Sequence, residues 1–161
     1  MKTAERALLN KLLSDARVEY IEEVAYIMAT VKHETANTFL PIREFGRGRR
    51  MKYGSIYYGR GYVQLTWLAN YKLFSNLLGV DLIDDPNDST DDGAPDKALD
   101  PDLAYEIMII GMTKGIFTGK KLSDYIDDFH VDYVQARRVV NGTDRARLIA
   151  KYALEYETLI L

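Results

Sequence analysis

The chain has 161 residues, 47% apolar and 28% charged, with a net charge of −3; that balance suits one soluble domain over 1–161 with a core of its own. Cysteine is absent, which excludes a disulfide framework, a thiolate nucleophile and a thiolate metal site, and agrees with folding in a reducing cytoplasm. Net acidity without a recognition motif argues against nucleic acid as a partner.

The N-terminal Met1-Lys2-Thr3-Ala4-Glu5-Arg6 enters a charged amphipathic pattern at once, unlike the apolar run and cleavage site of a signal peptide. Ala7, Leu8, Leu12 and Leu13 predict a short helix over about 3–14. Ile21, Val24, Ala25, Met28, Val31 and Thr35 recur at three- and four-residue steps, the stripe of a helix packed on a core. Pro41 and glycines 46, 48, 54, 59 and 61 break helix, so 38–65 reads as a loop with a small hairpin. Within it, the alternation Tyr62-Val63-Gln64-Leu65 predicts a short strand. Residues 67–78 then form a helix closed by Gly79.

Residues 81–99 read as an acidic loop. Asp84, Asp85, Asp88, Asp91 and Asp92 lack the final glutamate of a calcium-binding EF-hand loop. Asp100-Pro101 pairs an N-cap with proline at the first helical position, and the helix carries Leu103, Ile107 and Ile110 toward Gly115. Short helices over 123–128 and 131–140 follow, then a last helix from about 144 burying Ile149, Tyr152, Ala153, Tyr156 and Ile160. The expected fold class is mainly α, and no stretch approaches the roughly twenty apolar residues that cross a bilayer.

Two carboxylates flank the glycine-rich segment on its N-terminal side. On the predicted helix Glu34 lies roughly 100° from the centre of the apolar stripe, near its C-terminal end. Apolar neighbours there would disfavour the charged form and suit a general acid. Glu44 lies ten residues on, beside Arg43 and Arg47, whose charge would favour the carboxylate and suit a general base. Gly59 and Gly61 leave room for close backbone approach. Gln64 and Thr66 point to one side if the segment is extended, and a threonine hydroxyl can both accept from and donate to a water. Tyr57, Tyr58, Tyr62 and Trp67 offer aromatic surface. Each feature alone has an ordinary structural explanation, whether helix edge, surface ion pair or core packing.

Charge is uneven. Arg43, Arg47, Arg49, Arg50, Lys52 and Arg60 stand against Glu44 in one stretch, a composition that attracts anionic polymers. His33 and His130 are the histidines, without HExxH, so a metal-dependent amidase or peptidase lacks its ligands. No metal and no cofactor is expected.

The segment His33-Glu34-Thr35, Arg43-Glu44-Phe45-Gly46, Tyr57-Tyr58-Gly59-Arg60-Gly61 through Gln64-Leu65-Thr66, and Asn70-Tyr71 resembles the catalytic core of the family 19 glycoside hydrolases. These are chitinases with relatives among phage and bacterial lysins. The likeness runs over about 22–150 and is specific over 33–71. It implies a lysozyme-like α-helical domain with a small β-hairpin and loop region lining a substrate cleft. Glu34 would be the acid, Glu44 the base and Thr66 the holder of the water. Substrate contacts would fall to His33, Tyr58, Gln64 and Asn70. Asn141 joins them through Val139-Val140-Asn141-Gly142, which resembles a substrate-contacting motif.

Plant chitinases carry a longer insertion between the two glutamates, disulfides and further cleft loops. The compact layout here is more similar to the family's phage endolysins. That resemblance implies peptidoglycan as substrate, the muramidase bond as the one cut, and a single-step inverting mechanism, for which carboxyl groups stand about 6.5–9.5 Å apart. A monomer without stable membrane association is expected, cytoplasmic in the producing cell and reaching the wall through a separate holin-like release factor. The alternatives are a chitinase acting on N-acetylglucosamine polymers and a non-catalytic cell-wall sugar-binding module.

Overall fold

The computed structural model describes residues 1–84 and 93–161. In chain order the elements are α1 (Thr3–Leu13), α2 (Ile21–Glu34), β1 (Ile42–Arg43), β2 (Arg60–Gly61), α3 (Leu68–Leu78), α4 (Pro101–Lys114) and α5 (Ala146–Ile160). Short 3-10 helices cover Ala94–Leu99, Leu122–Asp124 and Gln135–Val139. The backbone divides into two compact units, Met1–Phe39 with Met108–Leu161, and Leu40–Ile107. No helix among the described residues is long and apolar enough to cross a membrane.

In the first unit α2 packs chiefly on α5. Every position of α2 from Glu23 to Val31 is buried, so it is a central helix, enclosed on all sides rather than along one stripe. Glu23 caps its start, its Oε2 accepting from the Glu19 and Tyr20 N–H groups at 2.8 and 3.4 Å. Burial holds that carboxyl above the ordinary range despite these bonds. α5 buries Ile149, Ala150, Ala153 and Tyr156, as its period requires, whereas Tyr152 and Ile160, also expected inside, are half-buried near the surface. In α1 the buried face is Leu8, Leu9 and Leu12, while Leu13 turns outward.

The expected helix over 123–128 is instead a 3-10 turn at Leu122–Asp124 followed by a bridge between Ile126 and Val131. The reversal is stabilised by Asp127, whose Oδ1 accepts from the Phe129 and His130 N–H groups at 2.8 and 2.9 Å. The expected helix over 131–140 shortens to the 3-10 segment Gln135–Val139.

The second unit is organised around a two-stranded antiparallel sheet, with Ile42 opposite Gly61 and Arg43 opposite Arg60. The strand expected at 62–65 is not formed. Gln64 adopts a left-handed φ of +59°, and the chain reverses so that Arg60 and Leu65 exchange backbone hydrogen bonds at 3.1 and 2.8 Å. α3 begins after Trp67 and ends at Gly79, whose φ of +63° closes the helix. Asp100 caps α4 as its Asp-Pro signal predicts, with Oδ1 accepting from the Asp102 and Leu103 N–H groups.

Part of the acidic stretch falls outside the described residues: of the aspartates considered for calcium, Asp85, Asp88, Asp91 and Asp92 lie there. The remainder of 81–99, read as loop, contains the 3-10 helix Ala94–Leu99.

Candidate active site

Glu34 occupies the last position of α2. Thr35 stops the helix: its Oγ1 donates to the Val31 carbonyl at 2.7 Å and accepts from the Phe39 N–H at 3.0 Å. Ala36, Asn37 and Phe39 then take φ of +48°, +63° and +58°, a costly run for residues with a Cβ. It is held by the burial of Phe39, whose ring packs edge-on against Tyr156. The direction of Glu34 is therefore set by a closed helix end.

Its surroundings differ from the apolar flank that the helix phase suggests. Glu34 Oε1 accepts from Arg137 Nη1 at 2.8 Å, and the side chains are 16% and 2% exposed. Arg137 Nε donates to the Asp144 carbonyl at 2.9 Å, fixing the guanidinium from its other side. Tyr26, stacked parallel on Tyr133 at 5.9 Å, adds to the buried layer around this pair; burial pushes its phenol up, against the pull of Arg137. The Asn141 N–H donates to the Arg137 carbonyl at 3.0 Å, so the backbone that places Arg137 also places Asn141. Asn141 itself is exposed, its Oδ1 accepting from the Gly142 N–H. His33 is half-buried one position before Glu34.

Glu44 is held by neutral donors. Tyr53 Oη donates to its Oε1 at 2.5 Å, and the Gly59 N–H donates to its Oε2 at 3.0 Å. Neither Arg43 nor Arg47 is its partner: Arg43 pairs with Asp96 at 2.8 Å. Burial, then the bond to Glu44, pushes the Tyr53 phenol up to about 12. Its ring stands edge-on to Trp67 at 5.3 Å.

Gly59 is the meeting point of this half. A Cβ there would fall 2.8 Å from Gln64 Oε1 and 3.2 Å from Thr66 Oγ1. Glu44, Gln64 and Thr66 thus gather around one glycine, through a reversed turn rather than by strand alternation. Thr66 Oγ1 donates to the Gln64 carbonyl at 2.8 Å, leaving its lone pairs as acceptors. The Gln64 amide is directed to the Ile42 and Gly61 carbonyls. The Asn70 amide donates to the Thr66 carbonyl at 2.9 Å. These two amides brace the segment that carries Thr66.

Of the four aromatics, Trp67 is exposed and Tyr57 half-buried, while Tyr58 and Tyr62 are buried. Tyr58 lies under the Arg60 guanidinium, 3.8 Å from ring centre to cation. Arg60 also bonds Asp96, the Ile56 carbonyl and the Tyr71 hydroxyl. It is the structural hub of the second unit, in which a buried cation is satisfied from several directions. Asp96 serves both Arg43 and Arg60; burial raises its carboxyl, but the two guanidiniums outweigh that and hold it below the usual range.

Sequence reasoning missed Arg137 and Tyr53. Arg137 sits between the buried Ala136 and the exposed Arg138, and its signal is a cation on the inward side of a 133, 136, 139 apolar repeat. Tyr53 has no periodic signal, because its loop is irregular. No group of three or more histidine, aspartate or glutamate side chains among the described residues is placed to hold a metal ion.

No family model matches the chain. Over 73 residues it is 36% identical to an endochitinase of Arabidopsis thaliana, a match covering 40% of this chain and 26% of that protein; the chain thus matches about a quarter of that relative's length. In structure it is similar to chitinase C from Streptomyces griseus, with a TM-score of 0.58 and 20% identity over 98% of this chain and 65% of the other. It is also similar to a bacterial family 19 chitinase, with a TM-score of 0.57 and 20% identity over 98% and 83%. The chain has the mainly α, lysozyme-like fold of the family 19 chitinases.

Proposed function

We propose that this chain is a glycoside hydrolase that cuts the glycan strand of peptidoglycan, at the muramidase bond, by single-step inversion. The observation that carries the reading is the frame around Glu44. A carboxylate oriented by a backbone N–H and a tyrosine hydroxyl, with Thr66 gathered at the same glycine, is equipped to draw a proton from a water that Thr66 helps to orient. In this reading Glu34 protonates the leaving glycosidic oxygen, and water attacks the opposite face of the sugar. The proton that Glu34 delivers is recovered from solvent, and the one Glu44 takes is returned to it. Arg137, which stays charged throughout, orients Glu34, and protonation of Glu34 before each turnover weakens that ion pair. His33, Tyr58, Gln64, Asn70 and Asn141 are proposed to contact or brace the substrate.

A chitinase is the second reading, favoured by the match to an endochitinase and by the fold shared with chitinases. The compact spacing of Glu34 and Glu44 supports peptidoglycan. The protein is further proposed to act as a monomer and to reach the wall with the help of a separate release factor.

Mass spectrometry of fragments released from purified peptidoglycan, beside an N-acetylglucosamine oligosaccharide, tests the assignment. Disaccharide-peptides ending in reducing muramic acid are expected. Cleavage of the oligosaccharide alone would establish a chitinase, and cleavage of neither would remove the enzymatic reading.

A further inference from the structure

The six cations between Arg43 and Arg60 divide into two groups. Arg43 and Arg60 close on Asp96 at 2.8 Å each. Arg47, Arg49, Arg50 and Lys52 are exposed, and their side chains have no hydrogen-bond or ion-pair partner among the described residues.

The loop that bears these four is wound tightly. Successive turns close from the Arg47 N–H to Glu44, from Arg49 to Gly46, from Met51 to Gly48 and from Gly54 to Met51, at 3.1, 3.1, 2.9 and 3.0 Å. Gly48 approaches Gly54 so closely that a Cβ would fall 1.9 Å from the Gly54 carbonyl oxygen. Arg47 and Arg50 take φ of +50° and +66°, conformations that glycine adopts without steric cost and arginine does not. Long cationic side chains at two positions whose backbone suits glycine point to a use for them. The loop starts at Glu44 and is tied back to it by Tyr53. Cations there meet whatever polymer lies against Glu44.

A neutral N-acetylglucosamine polymer offers such cations nothing to pair with, whereas a glycan bearing peptides with free carboxylates does. We propose that Arg47, Arg49, Arg50 and Lys52 form a subsite for the peptide carboxylates of the substrate, selecting an anionic glycan over a neutral one. The proposal rests on the reading of the chain as a peptidoglycan hydrolase. Exposed Phe45 and Met51 flank the cations, so an anionic lipid surface is the competing partner to be tested.

The experiment is cosedimentation of the full chain carrying Glu34→Gln with insoluble peptidoglycan freed of phosphate-bearing polymers. Parallel arms use the same peptidoglycan with its carboxyls amidated, chitin, and anionic phospholipid vesicles. The quadruple variant R47Q/R49Q/R50Q/K52Q in the same background is expected to bind native peptidoglycan about tenfold more weakly, and amidation or high salt to weaken the parent similarly. The charge-preserving R47K/R49K/R50K is expected to keep the binding, which separates lost charge from a disturbed loop. Undiminished binding by the quadruple variant would overturn the subsite, as would an equal loss on amidated peptidoglycan. Binding to vesicles that the quadruple variant loses, with peptidoglycan binding intact, would overturn it in favour of a lipid surface. Because binding is read without turnover, failure of the wild-type chain to cleave any glycan would refute the hydrolase reading and leave this result standing by itself.

Discussion

Glu34 and Glu44 are both anchored carboxylates, but by opposite means. Glu34 sits at a helix end against a guanidinium that is 2% exposed, so charge holds it. Glu44 sits in a loop and is held by a phenol and a backbone N–H, so direction holds it. A buried ion pair is costly to break from one side, because the surviving charge keeps no partner. A neutral donor to half-buried Glu44 can be removed at the cost of about one hydrogen bond, because water can take its place. The first region should therefore respond to substitution in stability and turnover together, and the second mainly in turnover.

Arg137→Met should give the largest effect. It leaves Glu34 without its partner, and unfolding in urea is expected to show a loss of about 3 kcal/mol. Turnover is expected to fall about a hundredfold as Glu34, the proposed acid, loses its placement. A wild-type-like melting point would break the comparison at its strongest point. Gly59→Ala comes next. Its Cβ must displace Gln64 and Thr66, with about 1–3 kcal/mol lost from overpacking and turnover reduced about tenfold; full activity would show that the convergence on Gly59 is irrelevant to the chemistry.

Tyr53→Phe should be milder in stability, about 1.5 kcal/mol, the low end for a hydrogen bond to a charged group because both partners are half-exposed, with a several-fold fall in kcat at nearly constant KM. Equal falls in Tyr53→Phe and Arg137→Met stability would erase the contrast between the regions. The smallest effect is in alkali. The Tyr53 phenol rises from 10.0 to about 12 on folding, so between those values the folded state keeps a proton that the unfolded chain releases. Its contribution is complete below pH 10 and is lost as pH rises toward 12. Tyr71 behaves alike, pushed to about 12 by burial against the pull of Arg60. Alkaline unfolding followed by circular dichroism should be less steep over this range in Tyr53→Phe than in the wild type.

The helices were legible where local signals were strong. Gly79 ended α3, Asp100-Pro101 started α4, and the apolar period marked α2 and α5. The segment after Arg60 was not, because its alternation suggests a strand while Gln64 takes a left-handed turn that no periodicity encodes. Residues 123–140 were misread as two helices because their apolar spacing also fits 3-10 turns. Of the site, the candidate carboxylates and Thr66 stood out through motif residues close in sequence. Arg137 did not, since it meets Glu34 across 103 positions of chain. Such a pairing depends on tertiary packing and leaves no local pattern.

The most direct test of two carboxylates acting by inversion is time-resolved proton NMR of the anomeric centre released from a soluble β-linked glycan substrate, run for the wild type and for Glu34→Gln. The α-anomer is expected to appear first and to mutarotate afterwards, and Glu34→Gln to produce neither anomer at a measurable rate. The β-anomer appearing first, or undiminished turnover in Glu34→Gln, would contradict that mechanism.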